Sequence, residues 1–289
     1  MRAPRRPQGA VGLEAVDFLA ERAMGSGRRV GLVVGCLAGG EHRVVGYGRL
    51  RRDAQDPPDG GTVFEIGSIT KVFTGLLLAD LAEQGLVGLD DPLASYLPAS
   101  VRVPTGGGRQ ITLGDLASHA GGLPRNPKGT LRRWLGDRHN PNAGLSVEEL
   151  YAGLARTRLR RRPGQRVKYS NLGAGLLGQA LARAAGQPYE ALVRERICLP
   201  LGMPDTVVTL TGEQTARLAP ATPAGDGRHP GWCFPRWSGP GRCARPRPTC
   251  WASWQPTWSL PAPPWRLSWS VPSLAGSGWP GVPRSGSAG

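Results

Sequence analysis

Ser68 and Lys71 are the first residues whose types and spacing allow chemistry. They stand three positions apart at the start of a segment with Phe73, Leu77 and Leu81 at helical spacing. On a helix this separation places a hydroxyl and an amine on one face, and the helix dipole and desolvation both disfavour a charged lysine there. Lys71 is therefore expected to accept a proton from Ser68. The alternative is that Ser68 only caps the helix and Lys71 is solvated, because Ser-x-x-Lys is common by chance.

Tyr169-Ser170-Asn171 is the second candidate group, and it precedes another apolar helical pattern. In an extended segment, residues i and i+2 point the same way, so the Tyr169 phenol and the Asn171 amide are expected to enter one cleft. A neighbouring lysine cation would lower the pKa of the phenol and make it a general base, while the amide would donate a hydrogen bond to substrate. The alternative is a packed Tyr169 with Asn171 as the helix N-cap.

The elements that position these residues follow from apolar periodicity and turn signals. A helix is predicted over 13–24 and a hairpin over 30–37 and 43–50, joined by Gly39-Gly40. Helices are predicted over 68–84 and 172–185, each followed by a glycine, and Thr112-x-x-Asp115 and Ser146-x-x-Glu149 are capping-box patterns. The region 68–200 is expected to be mostly helical. His119 ends one capped helix, where a dipole-stabilised or core histidine is favoured over a catalytic one.

Composition excludes several classes of protein. The 289 residues carry a net charge of +15, but 33 of the 36 basic residues are Arg, which indicates coding bias more than a binding surface. No apolar run approaches a membrane span, and Glu14 and Asp17 interrupt the segment where a signal peptide would be apolar, so a cytoplasmic protein is expected. The five Cys residues show neither disulfide nor zinc spacing, so no metal or cofactor is expected. The basic stretch 156–168 lacks interleaved aromatic residues, so no nucleic-acid partner is expected.

The chain changes in composition near residue 228. All 21 acidic residues precede this point, whereas 229–289 holds eight of the nine Trp and 12 of the 28 Pro. Such a segment is expected not to join the folded body. Three origins are open: a disordered interaction tail, a loop-rich module, or translation in the wrong reading frame, which we favour because disordered tails are usually poor in aromatic residues.

Four ordered segments between about residues 13 and 210 resemble the serine beta-lactamase and penicillin-recognising hydrolase family, especially its class C-like and esterase branch. They are Phe64-Glu-Ile-Gly-Ser68-Ile-Thr-Lys71, residues 85–98, residues 111–124, and Pro163-Gly-Gln-Arg-Val-Lys-Tyr-Ser-Asn-Leu-Gly173. The resemblance implies that Ser68 is the nucleophile, Lys71 its activating partner, Tyr169 the general base and later acid, and Asn171 a substrate-orienting residue. It implies acyl transfer through an acyl-Ser68 ester to water, with a small-molecule substrate: a beta-lactam, a D-amino-acyl peptide or a small ester.

The fold implied by the resemblance is α/β (α+β), an antiparallel sheet flanked by helices with an inserted all-helical domain. We expect 1–67 to form the helix and strands of the sheet region, 68–227 the helical catalytic region, and 228–289 the aberrant tail. The family's third motif, K-[ST]-G or H-x-G, has no convincing counterpart: no Lys follows Lys168, and His229-Pro230-Gly231 places a Pro where a strand donor is needed. The C-terminal strands are therefore expected to be missing. The rival interpretation is a catalytically dead binding or scaffold protein that keeps the fold.

Overall fold

The structure is a computed structural model that describes residues 13–25, 29–38, 41–127 and 145–220. The Pro/Trp-rich segment 228–289 lies outside the described residues, so its predicted departure from the folded body remains a prediction. Within the described ranges, none of the helices is both long enough and apolar enough to cross a membrane.

A helix and a two-stranded antiparallel sheet open the described chain. Helix α1 (Leu13–Met24) packs on both strands of the hairpin, β1 (Gly31–Ala38) and β2 (Glu41–Gly48). The Tyr47 hydroxyl on β2 donates a hydrogen bond to the Asp17 carboxylate on α1, which, with burial, raises the pKa of that phenol to about 12. The predicted helix is confirmed, as is the hairpin. Strand β2 begins and ends two residues earlier than predicted, because Gly48 adopts a φ of +78° and ends the extended run.

Short helices form most of the regular structure after the hairpin. They are α2 (Thr70–Glu83), α3 (Leu113–Ala117), α4 (Val147–Ala155), α5 (Asn171–Ala184), α6 (Tyr189–Val193) and α7 (Gly212–Ala216), with 3-10 turns at Gly67–Ile69 and Leu93–Tyr96 and a π-helical turn at Arg194–Cys198. The chain between α2 and α3 is otherwise irregular.

Both predicted capping boxes are present. The Thr112 hydroxyl accepts from the Asp115 amide at 3.1 Å and the Asp115 carboxylate accepts from the Thr112 amide at 3.1 Å. Ser146 and Glu149 make the same reciprocal pair at the start of α4. These bonds satisfy amides that the first helical turn leaves without partners, so the sequence pattern locates both helix starts.

Helices α2 and α5 pack against each other through leucines, and this contact holds the two segments that carry the candidate site. Leu77 and Leu81 of α2 and Leu172, Leu176 and Leu181 of α5 are fully buried. Burying such side chains contributes about 1.5 to 3 kcal/mol each before conformational entropy is subtracted. The leucine packing therefore fixes the start of α2 relative to the start of α5.

A short parallel bridge joins the residues before α2 to those after α7. The Val63 amide donates to the Arg217 carbonyl at 2.9 Å, and the Val63 carbonyl accepts from the Ala219 amide at 2.8 Å. The Arg217 guanidinium donates to the Gly61 carbonyl at 2.9 Å and to the Asp205 carboxylate at 2.9 Å. The bridge brings together segments more than 150 residues apart in sequence.

Candidate active site

Ser68 lies in the 3-10 turn Gly67–Ile69, and this turn directly precedes α2. Gly67 adopts a φ of +54°, a conformation that disfavours any residue with a Cβ, and it turns the chain sharply into Ser68. The N-cap position of α2 is Ile69, where no side-chain cap forms. Ser68 is exposed, so its hydroxyl is presented to solvent rather than used as the helix cap.

Lys71 and Tyr169 both reach the Ser68 hydroxyl. The Lys71 Nζ donates to Ser68 Oγ at 3.4 Å from the next helical turn, as the three-residue spacing predicts. The Tyr169 hydroxyl donates to the same oxygen at 2.6 Å, although the two residues are 101 positions apart. The Lys71 ammonium also lies 4.8 Å from the centroid of the Tyr169 ring. The structure thus brings together three of the four predicted site residues.

The environment of Tyr169 lowers the pKa of its phenol. Partial burial raises the pKa of the phenol, but hydrogen bonding with Lys71 and Ser68 and the charges of Lys71 and Arg125 together lower the pKa below its ordinary value. The ring is 38% exposed, so solvent and substrate can reach the hydroxyl. The predicted effect of a neighbouring lysine on this phenol is confirmed in direction.

Arg125 is a member of the site that no sequence motif indicated. Its guanidinium carbon lies 5.6 Å from the Tyr169 ring centroid, close enough for a cation–π contact. Its backbone carbonyl accepts from the Asn171 amide at 2.7 Å and from the Leu172 amide at 3.2 Å, which anchors the start of α5. In the sequence Arg125 is one Arg among many after a Pro, and only the folded chain brings it to the phenol.

His119 follows α3 in a left-handed conformation, with a φ of +60°. Its amide bonds to the Leu116 carbonyl at 3.2 Å and the Ala120 amide to the Asp115 carbonyl at 2.7 Å, the pattern of a Schellman C-cap in which glycine is usual. The imidazole centroid lies 4.6 Å from that of the Tyr169 ring. The C-cap hydrogen bonds and the contact with the Tyr169 ring therefore hold this histidine in place.

Of the two alternatives expected for His119, a dipole-stabilised or a core histidine, the electrostatics favour the core histidine. Burial, and then the charge of Lys71, lower the pKa of this imidazole, so the neutral form is favoured. The His119 Nδ1 lies 3.4 Å from the Ser170 amide and accepts its hydrogen bond, which places the proton on Nε2.

Ser170, not Asn171, is the N-cap of α5. The buried Ser170 hydroxyl accepts from the Gly173 amide at 2.9 Å and donates to the Pro124 carbonyl at 2.7 Å. Asn171 is the first residue of the helix, and its Nδ2 donates to Asn126 Oδ1 at 3.0 Å. Its contact with substrate therefore remains a prediction, while its alternative role as a cap is wrong.

The cluster has the parts that nucleophilic acyl chemistry requires. An exposed hydroxyl is hydrogen-bonded to a phenol with a lowered pKa and to the Lys71 side chain, which is one of the groups that lower this pKa. Over the described ranges, no group of three or more His, Cys, Asp or Glu side chains is placed to hold a metal ion.

Comparison with known proteins identifies the family and the fold. The Beta-lactamase family model matches residues 16–264, so the chain belongs to the beta-lactamase family, and the predicted family and beta-lactamase-like fold are confirmed, whereas the predicted loss of the C-terminal strands stays a prediction. The D-alanyl-D-alanine-carboxypeptidase/endopeptidase AmpH of Escherichia coli (strain K12) is 36% identical over 206 residues, covering 71% of this chain and 52% of the relative. A Beta-lactamase from Pseudomonas fluorescens is 28% identical over 209 residues, covering 71% and 53%.

Solved structures show the same fold. A beta-lactamase/D-alanine carboxypeptidase from Yersinia pestis superposes with a TM-score of 0.63 at 33% identity, over 69% of this chain and 56% of the other. A class C beta-lactamase from Rhodobacter sphaeroides gives a TM-score of 0.57 at 33% identity, over 70% and 53%. The chain spans about half the length of these relatives.

Proposed function

We propose that this protein is a serine hydrolase that acts by acyl transfer through Ser68. The observation that carries the proposal is the convergence of the Tyr169 hydroxyl, at 2.6 Å, and the Lys71 ammonium, at 3.4 Å, on Ser68 Oγ. Two groups that share one hydroxyl can remove its proton and stabilise the charge that results. Membership of the beta-lactamase family supports this reaction class.

The proposed reaction has two halves that use the same residues. Tyr169 as phenolate takes the proton from Ser68 while Oγ attacks the substrate carbonyl, and the phenol then gives that proton to the leaving group. The product is an acyl ester on Ser68. In the second half, Tyr169 takes a proton from water, the resulting hydroxide attacks the ester, and the proton returns to Ser68. Lys71 and Arg125 stabilise the phenolate between steps.

The proposed substrates are a beta-lactam, a D-amino-acyl peptide or a small carboxylic ester. The relatives named as beta-lactamases and D-alanyl-D-alanine carboxypeptidases support this class, with Asn171 proposed to orient a substrate amide. The sequence after Lys168 has no K-[ST]-G motif, so we propose a slowed reaction. Loss of one oxyanion donor typically lowers the rate about 100- to 1,000-fold.

A fluorophosphonate probe on the full chain tests the proposal, because labelling needs only an activated serine. We expect one labelled residue, Ser68, identified by mass spectrometry. Ser68→Ala should abolish the label and Lys71→Ala should nearly do so. The control is Ser118→Ala, since Ser118 is exposed beside His119 and its hydroxyl donates to the Gly114 carbonyl.

Labelling that survives Ser68→Ala in folded protein would contradict the assignment of the nucleophile. A folded wild-type chain that takes no label, even at high probe concentration, would support instead the catalytically inactive scaffold protein. Circular dichroism on each variant separates loss of chemistry from loss of structure.

A further inference from the structure

A cavity of about 420 Å³ lies beside the candidate active site and is separate from it. Its walls are two segments, 120–124 and 157–168, and none of Ser68, Lys71 and Tyr169 lines it. Cavities of this volume hold small-molecule ligands.

The lining of the cavity is strongly basic. Six of the eleven residues from 158 to 168 are Arg or Lys and none is acidic, against 36 basic residues in all 289. General enrichment in arginine does not produce such a concentration. All six face the cavity: Arg158, Arg160, Arg161, Arg162, Arg166 and Lys168.

No carboxylate neutralises this lining within the described part of the chain. The lining contains no Asp or Glu, and none of its six basic side chains has an ion-pair partner among the described residues. Elsewhere the protein does pair its arginines: Arg109 binds the Asp115 carboxylate at 2.8 Å and Arg196 binds Asp80 at 3.0 Å. Like charges held around one concavity repel one another and create a strong positive potential, which attracts anions.

The backbone holds these side chains around the cavity. The Gly164 amide donates to the Ala120 carbonyl at 2.9 Å, and the Lys168 amide donates to the His119 carbonyl at 2.8 Å. On the other side, Gly106 approaches so closely that a Cβ there would lie 2.4 Å from the Arg161 carbonyl oxygen. Backbone hydrogen bonds therefore hold the segment at its middle and at its C-terminal end, while its basic side chains are exposed.

We propose that this cavity is a binding site for a small oxyanion with several negative charges, the class that includes di- and triphosphates. Guanidinium groups bind such oxygens through paired N–H donors, and several of them around one cavity match a multiply charged ligand. The lining has no aromatic side chain on which a base could stack, so a small anion fits it better than a nucleic acid. The proposal does not depend on the acylation chemistry.

Isothermal titration calorimetry on the full chain, at fixed ionic strength, tests the site with pyrophosphate and with citrate as probes. We expect one site with a Kd below about 1 mM for at least one probe, and the tighter of the two identifies phosphate or carboxylate as the preferred group. The triple variant R160Q/R161Q/R162Q should bind at least tenfold more weakly. The matched control is Arg156→Gln, since Arg156 is exposed in the same stretch but does not line the cavity, and it should stay within twofold of wild type.

Absence of 1:1 binding by the wild type would overturn the proposal, as would an equal loss in Arg156→Gln. A short single-stranded RNA that binds without competition from pyrophosphate would also overturn it and assign the surface to nucleic acid. If the triple variant does not fold, the single variants Arg160→Gln and Arg166→Gln replace it in the test. Each is expected to weaken binding several-fold. Ser68→Ala should bind pyrophosphate normally, so failure of this proposal and failure of the hydrolase proposal are distinguishable.

Discussion

Replacement of Ser170 by alanine is the sharpest test of how the segment that ends at Arg125 is joined to the segment that carries Tyr169. The hydroxyl is 3% exposed and makes two bonds, accepting from the Gly173 amide at 2.9 Å and donating to the Pro124 carbonyl at 2.7 Å. Loss of an N-cap costs about 1 kcal/mol. Loss of the second bond leaves a half-buried carbonyl without its donor and costs about 1 to 2 kcal/mol more. We therefore expect Ser170→Ala to lower the free energy of unfolding by about 2 to 3 kcal/mol.

Urea denaturation of the full chain, followed by circular dichroism, measures this change as a shift in midpoint at constant slope. Ser146→Ala is the matched control, because Ser146 caps α4 in the same way and, among the described residues, its hydroxyl makes no bond to another segment. This change should cost about 1 kcal/mol. Fluorophosphonate labelling of Ser68 should also slow in Ser170→Ala below the unfolding transition, since the lost bond joins Pro124, which precedes Arg125, to Ser170, which follows Tyr169. If Ser170→Ala costs no more than Ser146→Ala and labels at the wild-type rate, the reasoning is refuted.

Two further predictions follow from the electrostatics of the described residues. Arg125→Gln removes a cation that lowers the pKa of Tyr169. Because labelling needs the phenolate, the rise of the labelling rate with pH should move to higher pH. No movement, or movement to lower pH, would contradict the role of Tyr169 as base. Arg109→Gln leaves the buried Asp115 carboxylate without its ion pair and should lower the free energy of unfolding, measured by urea denaturation, by about 3 kcal/mol. Arg196→Gln, at a half-exposed pair, should lower it by under about 1 kcal/mol. Equal losses would show that burial does not decide how much these ion pairs stabilise the protein.

The sequence predicts the helices well because the interactions that start and stabilise them join residues close together in sequence. The leucine spacing in α2 and the capping boxes at Thr112 and Ser146 act over three or four residues, and each is where the sequence placed it. The end of β2 was misplaced by two residues because it depends on the left-handed conformation of Gly48, which alternation does not reveal.

The candidate site was predictable in part for the same reason. The contact between Ser68 and Lys71 follows from a spacing of three, whereas Tyr169 lies 101 residues away and only the resemblance to a family placed it at the nucleophile. Arg125 carried no signal, since tertiary packing alone brings it to the phenol. For His119 the sequence left a dipole-stabilised and a core histidine open, because the ring and the charge beside it belong to Tyr169 and Lys71, which are distant in sequence.

The bridge between Val63 and Leu218 has a consequence for the topology of the chain. Paired backbone segments lie about 5 Å apart, so the chain that leaves this bridge before Ser68 returns to it after α7. A linker of a few residues would suffice to join residue 220 to residue 62. The region from Ser68 to α7 therefore begins and ends at one place, and a circular permutant that joins these ends and opens the chain elsewhere should keep together the residues that meet at Ser68.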